Sequence, residues 1–388
     1  MDLKREPTLR VTLKIRWNKI FIILFLLSLI SVSLGAIFSP VTARSRRFHL
    51  TDFILNNRIE NKGYSNSILE EHYVSEQSTY YALKMLEDLD LLETQEDLDI
   101  LATTLAQNVQ TELDEYDDNS LITLYYLLLS LSLLDSLDEI STNNKNEIIN
   151  WINLSIHENG GFKNFNSSLP TVFNTYFSVK VLYLLSSENI FDSQNHTEWI
   201  ISCYNSNGGF GGNSTLNSSI ISTYYAVLGV NNLTDISDLS LQNESIIQYI
   251  MESFNSDIAD SLNYGGFSQT DSPTKSLIST TFYCVSTVNL LDSNQLDSET
   301  ILQWILKSQN PIDGGFSESK SDGSTSYSSM ITTYYAFNII KYLDPDFSSL
   351  NEDVWDVEFN WVILIILILI IIAVPTLVIY IMWRKRKV

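Results

Sequence analysis

Cysteine, histidine and arginine are all scarce in this chain, and each scarcity removes a class of function. Two cysteines in 388 residues exclude a disulfide scaffold, and four histidines leave little for a paired Cys/His metal module. No arginine occurs between Arg58 and Arg384. Residues 41–358 hold 44 of the 46 acids but only 13 of the 23 bases, a net charge of −31 for that stretch. Such a surface repels phosphate backbones, which excludes nucleic acid as a partner and favours a dispersed, soluble body. The chain is 45% hydrophobic, enough for residues 41–358 to bury one large core.

What is present is a repeat. Its fullest copy runs from Gly208-Gly209-Phe210-Gly211-Gly212 through a polar stretch to Thr223-Tyr224-Tyr225-Ala226. The glycine half recurs as Gly160-Gly161-Phe162, Gly265-Gly266-Phe267 and Gly314-Gly315-Phe316, and in reduced form as Gly63-Tyr64. The threonine half recurs at Thr79, Thr123, Thr175, Thr223, Thr281 and Thr333, spaced by 44, 52, 48, 58 and 52 residues. That period predicts stacked supersecondary units. Aromatic helical stretches around Trp151, Trp199, Tyr249 and Trp304 precede the glycine turns, so each unit reads as helix, glycine turn, polar stretch, helix. The double glycines suit positive φ and close backbone approach, and the small polar residues before each threonine suit helix caps.

The ends differ from the middle. Residues 1–19 form a basic tail with six bases, and residues 20–38 run apolar, as either a signal peptide cleaved near Gly35-Ala36 or a spanning anchor. Residues 361–383 are long enough to cross a bilayer and are followed by the basic tail 384–388. Charge bias places both basic ends in the cytoplasm and the acidic middle on the extracytoplasmic side of the membrane, although Arg44, Arg46 and Arg47 oppose it. Asn153, Asn166, Asn195, Asn213, Asn217, Asn232 and Asn243 head Asn-x-Ser/Thr triplets. A composition this rich in those residues supplies about six or seven by chance, so glycosylation is permitted and no more.

Gly-Gly-Phe, a spacer and Thr-Tyr-Tyr-Ala resemble the repeat of protein prenyltransferase β subunits, within the terpenoid-cyclase-like α/α toroids. The similarity covers roughly residues 60–345 and is strongest at Thr281-Phe282-Tyr283-Cys284-Val285-Ser286. It implies an all-α fold: an α/α toroid of about six hairpins over residues 41–358, flanked by one or two transmembrane helices. The threonine-bearing helices would form the inner ring and the tryptophan-bearing ones the outer ring. Tyr176, Tyr224, Phe282 and Tyr334 would then line a central cavity like the one that holds isoprenoid chains, or simply fill it.

The chemistry implied by the resemblance is not matched. Family enzymes bind zinc through an Asp-x-Cys pair and a histidine immediately before an inner-helix threonine. Here Ser78, Ile122, Asn174, Ser222, Thr280 and Thr332 hold that slot, and Cys203 and Cys284 follow Ser202 and Tyr283. Burial is expected for Cys284, with a Cys203 to Cys284 disulfide a weaker option. The diphosphate cradle is missing, since Gly211 to Ser222 contains no base. Glu115-Tyr116-Asp117-Asp118 approaches the cyclase Asp-x-Asp-Asp motif but is expected to cap the following helix. Asp88-Leu89-Asp90 and Asp97-Leu98-Asp99 read as solvated faces. No metal, cofactor or catalytic residue is therefore expected. Two readings remain: a membrane-tethered, extracytoplasmic toroid that binds a partner protein, a glycan or an apolar, isoprenoid-like ligand; and an enzyme of the prenyltransferase or terpenoid cyclase group.

Overall fold

The computed structural model describes residues 44–354, apart from residues 71–72, 116, 165–166, 186–191, 241, 270–271 and 320–326. The apolar segments 20–38 and 361–383 and both basic tails lie outside the described residues. Among those described, no helix is long and apolar enough to cross a membrane. The chain divides into two units, Arg46–Glu352 and the two ends, Met1–Ser45 with Asp353–Val388. In the latter, Arg44–Ser45 pairs antiparallel with Asp353–Val354.

Arg46–Glu352 is built from the twelve α-helices found among the described residues. Odd-numbered helices are α1 (Arg46–Asn56), α3 (Leu98–Asp114), α5 (Thr142–Leu154), α7 (Ser193–Ile201), α9 (Asn243–Met251) and α11 (Ser298–Leu306). Even-numbered helices carry the threonine motifs: α2 (Glu76–Asp88), α4 (Ser120–Leu133), α6 (Val172–Leu184), α8 (Ile220–Leu233), α10 (Ile278–Asp292) and α12 (Met330–Leu343). The even helices pack in the order α2, α4, α6, α8, α10, α12 and back to α2, which closes an inner ring. Rings at corresponding motif positions touch across neighbouring helices, as in Tyr224 with Phe282 at 5.6 Å and Tyr125 with Phe177 at 4.7 Å, so the inner helices run parallel and in register. The odd helices lie outside them. The expected α/α toroid is present.

The motif threonine is a structural clasp. Its Oγ1 accepts the backbone N–H of the aromatic residue in the glycine turn: Tyr64 to Thr79, Phe162 to Thr175, Phe210 to Thr223 and Phe267 to Thr281, all at 3.0 Å, and Phe316 to Thr333 at 2.9 Å. In four of these the same hydroxyl donates to the carbonyl four residues back, spending both capacities of one side chain. The phenyl rings of Phe162, Phe210, Phe267 and Phe316 are fully buried, each contributing roughly 1.5–3 kcal/mol through burial. Ser75, Thr171, Ser219 and Ser329 cap their inner helices, as the small polar residues suggest.

The two glycines of a pair have different duties. The first is the one at positive φ, for example Gly208 at 90°. The second lies against the aromatic ring of the next outer helix: a Cβ on Gly209 would stand 2.6 Å from Tyr249 Cε1, and one on Gly161 would stand 2.6 Å from Trp199 Cε2. Each turn is therefore packed on the following unit, whereas the sequence order pairs it with the aromatic before it. For the last glycine turn, no later outer helix among the described residues provides that partner. Gly315 packs on Phe53 of α1, and Met330 N donates to Asn66 O at 2.7 Å, so α1 is the sixth outer helix and the ring closes through the first and last units.

Two local readings change. Outer helices begin earlier than their aromatic stretches suggest, because Ser141, Asp192 and Asp297 cap them. Asp88 is not on a solvated face: it pairs with Lys84 at 3.1 Å and Lys341 at 2.8 Å, tying α2 to α12 across the seam of the ring.

Candidate functional site

An α-helix in the inner ring turns about 100° per residue, so the two residues after each threonine both point inward or toward a neighbouring helix. Five of the six motifs place two aromatic rings there and Thr123-Leu124-Tyr125 places one, joined by Tyr126. The rings meet at the axis. Tyr81 and Tyr334 stack at 3.8 Å with planes 5° apart, Phe282 and Tyr335 at 4.5 Å and 7°, and Tyr176 lies 5.2 Å from Tyr225. Between them remains a cavity of about 250 Å³ lined by aromatic residues of all six inner helices, with Leu129 of α4 and Lys180 of α6.

Tyr176, Tyr224, Phe282 and Tyr334 are all among that lining, so the structure brings the four sequence-selected residues together. Tyr81, Tyr126, Tyr225, Tyr283 and Tyr335 belong with them. Their signal was present, since five of the six motifs carry a second aromatic and Tyr126 follows Tyr125, but periodicity alone does not say which of two adjacent rings faces the axis. Lys180 was also passed over. It lies five residues after Thr175 and is the single charged side chain in the lining.

The lining is phenolic rather than purely apolar. Tyr81 and Tyr126 hydroxyls meet at 2.9 Å and both accept from Gln77 Nε2 at 3.0 Å, while Tyr283 and Tyr335 hydroxyls meet at 3.1 Å. Burial pushes these phenols up, Tyr176 to about 12 and Tyr81 and Tyr225 well above the ordinary range. They stay neutral at physiological pH and act as hydrogen-bond donors and acceptors, not as bases. Burial also lowers the Lys180 ammonium from its ordinary value. Its Nζ donates to Asn232 Oδ1 at 3.3 Å.

The residues in the family's metal slots do not fit zinc. Asn174, Ser222 and Thr332 donate their backbone N–H groups to helix caps, and the Thr332 hydroxyl donates to Phe316 O at 2.7 Å. None offers a nitrogen or thiolate ligand, and among the described residues no three His, Cys, Asp or Glu side chains are grouped to hold a metal ion. Cys203 and Cys284 are separate buried thiols, pushed by burial to about 11 and about 12, with Cys284 Sγ 3.6 Å from Ser253 Oγ. Asp114, which ends α3, and Asp117 and Asp118, in the turn before α4, are exposed and do not line the cavity. Asp117 accepts from Asn119 N at 2.6 Å, shaping the turn rather than capping the helix itself, and Tyr116 lies outside the described residues.

A closed double ring of helices around an aromatic cavity defines a class, the α/α toroids. The prenyltransferase alpha-alpha toroid domain model matches residues 92–317 and again 268–356, more than half of the chain, and the protein belongs to that family. Comparison of the sequence with curated proteins gave no match. Solved structures share the fold. Protein geranylgeranyltransferase-I from Candida albicans, complexed with GGPP, is 15% identical at a TM-score of 0.60, covering 78% of this chain and 92% of its own. A type II terpene cyclase from Scytonema, complexed with geranylgeranyl dihydroxybenzoate, is 13% identical at 0.53, covering 77% and 97%. A protein from Actinoplanes is 11% identical at 0.51, covering 77% and 98%.

Proposed function

We propose that this protein is a membrane-anchored binding toroid whose central phenolic cavity receives a slender apolar, isoprenoid-like ligand, with the toroid on the extracytoplasmic side. The observation that carries the reading is the convergence of inner-helix aromatics on one residual cavity while the slots for zinc hold Asn174, Ser222 and Thr332, first-turn residues whose N–H groups are taken by the helix caps. At about 250 Å³ the cavity lies below the roughly 300–1,000 Å³ of pockets for drug-sized ligands, which selects a narrow chain or one end of a longer one. Solved structures of the same fold carry geranylgeranyl groups, which agrees with that shape. Anchoring rests on the apolar lengths and flanking bases of residues 20–38 and 361–383.

The test uses the full chain in lipid nanodiscs. Tritiated farnesol retained above the level of empty nanodiscs, with zinc at background after dialysis against a weak chelator, supports the binding reading. Stoichiometric zinc moves the metal-dependent enzyme ahead. Protease added to intact cells digests the toroid if it faces outward and spares it otherwise.

A further inference from the structure

Inner-ring helices carry three lysines, and two of them are accounted for. Lys84 and Lys341 both pair with Asp88. Lys180 differs. It stands at the wall of the aromatic cavity, half-buried, and its Nζ donates to a neutral amide oxygen, Asn232 Oδ1. Among the described residues no carboxylate lies within ion-pairing distance of it. An ammonium has three N–H donors, so two remain for water or a ligand. Asn232 is itself fixed, because its Nδ2 donates to Leu228 O at 2.7 Å, which aims Oδ1 at the lysine and holds the ammonium in place.

A half-buried ammonium beside aromatic rings, with no carboxylate partner among the described residues, is available to an anionic ligand. The wider protein makes this sharper. With a net charge of −23 it has acids to spare, yet among the described residues none pairs with this lysine. Because the neighbouring side chains are phenols held neutral, the cavity presents one fixed positive charge to its contents.

From this geometry we infer that the cavity takes an amphiphile with a slender apolar body and a single anionic head, an isoprenoid or long-chain carboxylate, with the head on Lys180 Nζ and the body against the stacked tyrosines. The inference rests on the binding reading above and narrows it to a ligand class. It also distinguishes this chain from a diphosphate site, which needs several converging cations where this cavity has one.

The experiment compares farnesoic acid with farnesol on the full chain in nanodiscs, each corrected for uptake by empty nanodiscs. Wild type should bind the acid about ten-fold more tightly than the alcohol, the worth of one charge-assisted hydrogen bond. Lys180→Met should abolish that preference, acid and alcohol then binding alike, and Lys180→Arg should restore part of it. Helical content and melting of Lys180→Met serve as the folding control, with Lys180→Gln as the substitute if the methionine variant does not fold. Equal affinity of wild type for acid and alcohol overturns the anionic-head assignment and leaves the binding toroid standing. Failure of both probes to bind overturns the toroid reading as well.

Discussion

Gly209→Ala is the substitution that most directly interrogates how the units are joined. Gly209 is the second glycine of its pair and does not have positive φ, so backbone conformation alone would tolerate alanine. Space would not. The new Cβ would stand 2.6 Å from Tyr249 Cε1, 2.8 Å from Cζ and 2.7 Å from Ser218 Cβ, well inside van der Waals contact. Both neighbours are packed, and overpacking of this kind costs about 1–3 kcal/mol. Gly212 is the internal control. Its Cβ would meet nothing closer than Leu216 Cδ1 at 3.3 Å, the flexible end of a side chain, so Gly212→Ala should fall within about 0.5 kcal/mol of wild type. Thermal unfolding followed by far-UV circular dichroism reads the difference, at about 2 °C or more per kcal/mol. Tyr249→Leu removes the ring atoms that the Cβ meets, so Gly209→Ala should cost at least 1 kcal/mol less in that background, within the roughly 0.5–3 kcal/mol coupling expected of contacting residues. Equal melting of the Gly209 and Gly212 variants would refute the packing of each glycine turn on the following unit.

Thr223→Val leaves the buried Phe210 N–H without its acceptor and should cost about 1–3 kcal/mol, with Thr223→Ser recovering most of it; hydrogen exchange at the Phe210 amide provides the local readout. Tyr64 and Tyr176 are raised by burial from 10.0 to about 12. A raised folded value means the neutral phenol is favoured by folding, so its stabilisation is complete below pH 10 and lost as pH rises through 12. Absorbance at 295 nm should show a tyrosine fraction that ionises only together with unfolding. Asp88→Asn should weaken the α2–α12 seam by about 1 kcal/mol, and by less in high salt; an equal effect at both salt levels would rule out the ion pairs as the cause. Phe53→Ala should cost about 3–5 kcal/mol and strip exchange protection from the Gly314-Gly315-Phe316 turn, some 260 residues away in the chain, whereas a purely local loss in α1 would disprove the closure.

The repeat and the inner ring were legible because they are written in local periodicity. Glycine pairs and threonine motifs recur at fixed spacing, and the aromatics after each threonine must share one face if the helices share one register. What escaped was mostly long-range. Asp88 looks solvated until Lys341, on the last inner helix, is brought beside it. His49 and Phe53 of α1 repeat the four-residue spacing of Asn195 with Trp199 and Ser245 with Tyr249, the pairs that pack on glycine turns, but without a preceding turn that likeness has no visible meaning. The outer-helix starts are not visible in the aromatic stretches because they are set by Asp192 and Asp297, whose carboxylates accept from the N–H groups of Asn195 and Thr300, at 3.2 Å each. Lys180 lacked a signal of another kind. A lone lysine on an amphipathic helix is ordinarily solvated, and only ring closure shows that its face turns inward.

The identity of the central rings carries the last step. If the motif aromatics served only to fill the axis, phenylalanine would do so without placing hydroxyls away from water, where an unmade hydrogen bond costs about 1–3 kcal/mol. Ten of the twelve lining aromatics are tyrosine. Some hydroxyls answer one another, as Tyr81 with Tyr126 and Tyr283 with Tyr335 do, and Gln77 extends the first pair. Within each pair the donating hydroxyl keeps a lone pair and the accepting one keeps its O–H, and the phenol rings offer apolar faces beside them. Under the binding proposal, such a wall would hold a hydrocarbon body against its faces while its polar edges bond water or a ligand's polar atoms. Sealing the axis is better achieved with Tyr→Phe at all ten positions, so a variant carrying Tyr81→Phe and Tyr126→Phe separates the two roles. A structural plug gains or keeps stability on losing that pair, while a binding cavity keeps its fold and changes its affinity for polar-headed ligands relative to plain hydrocarbons.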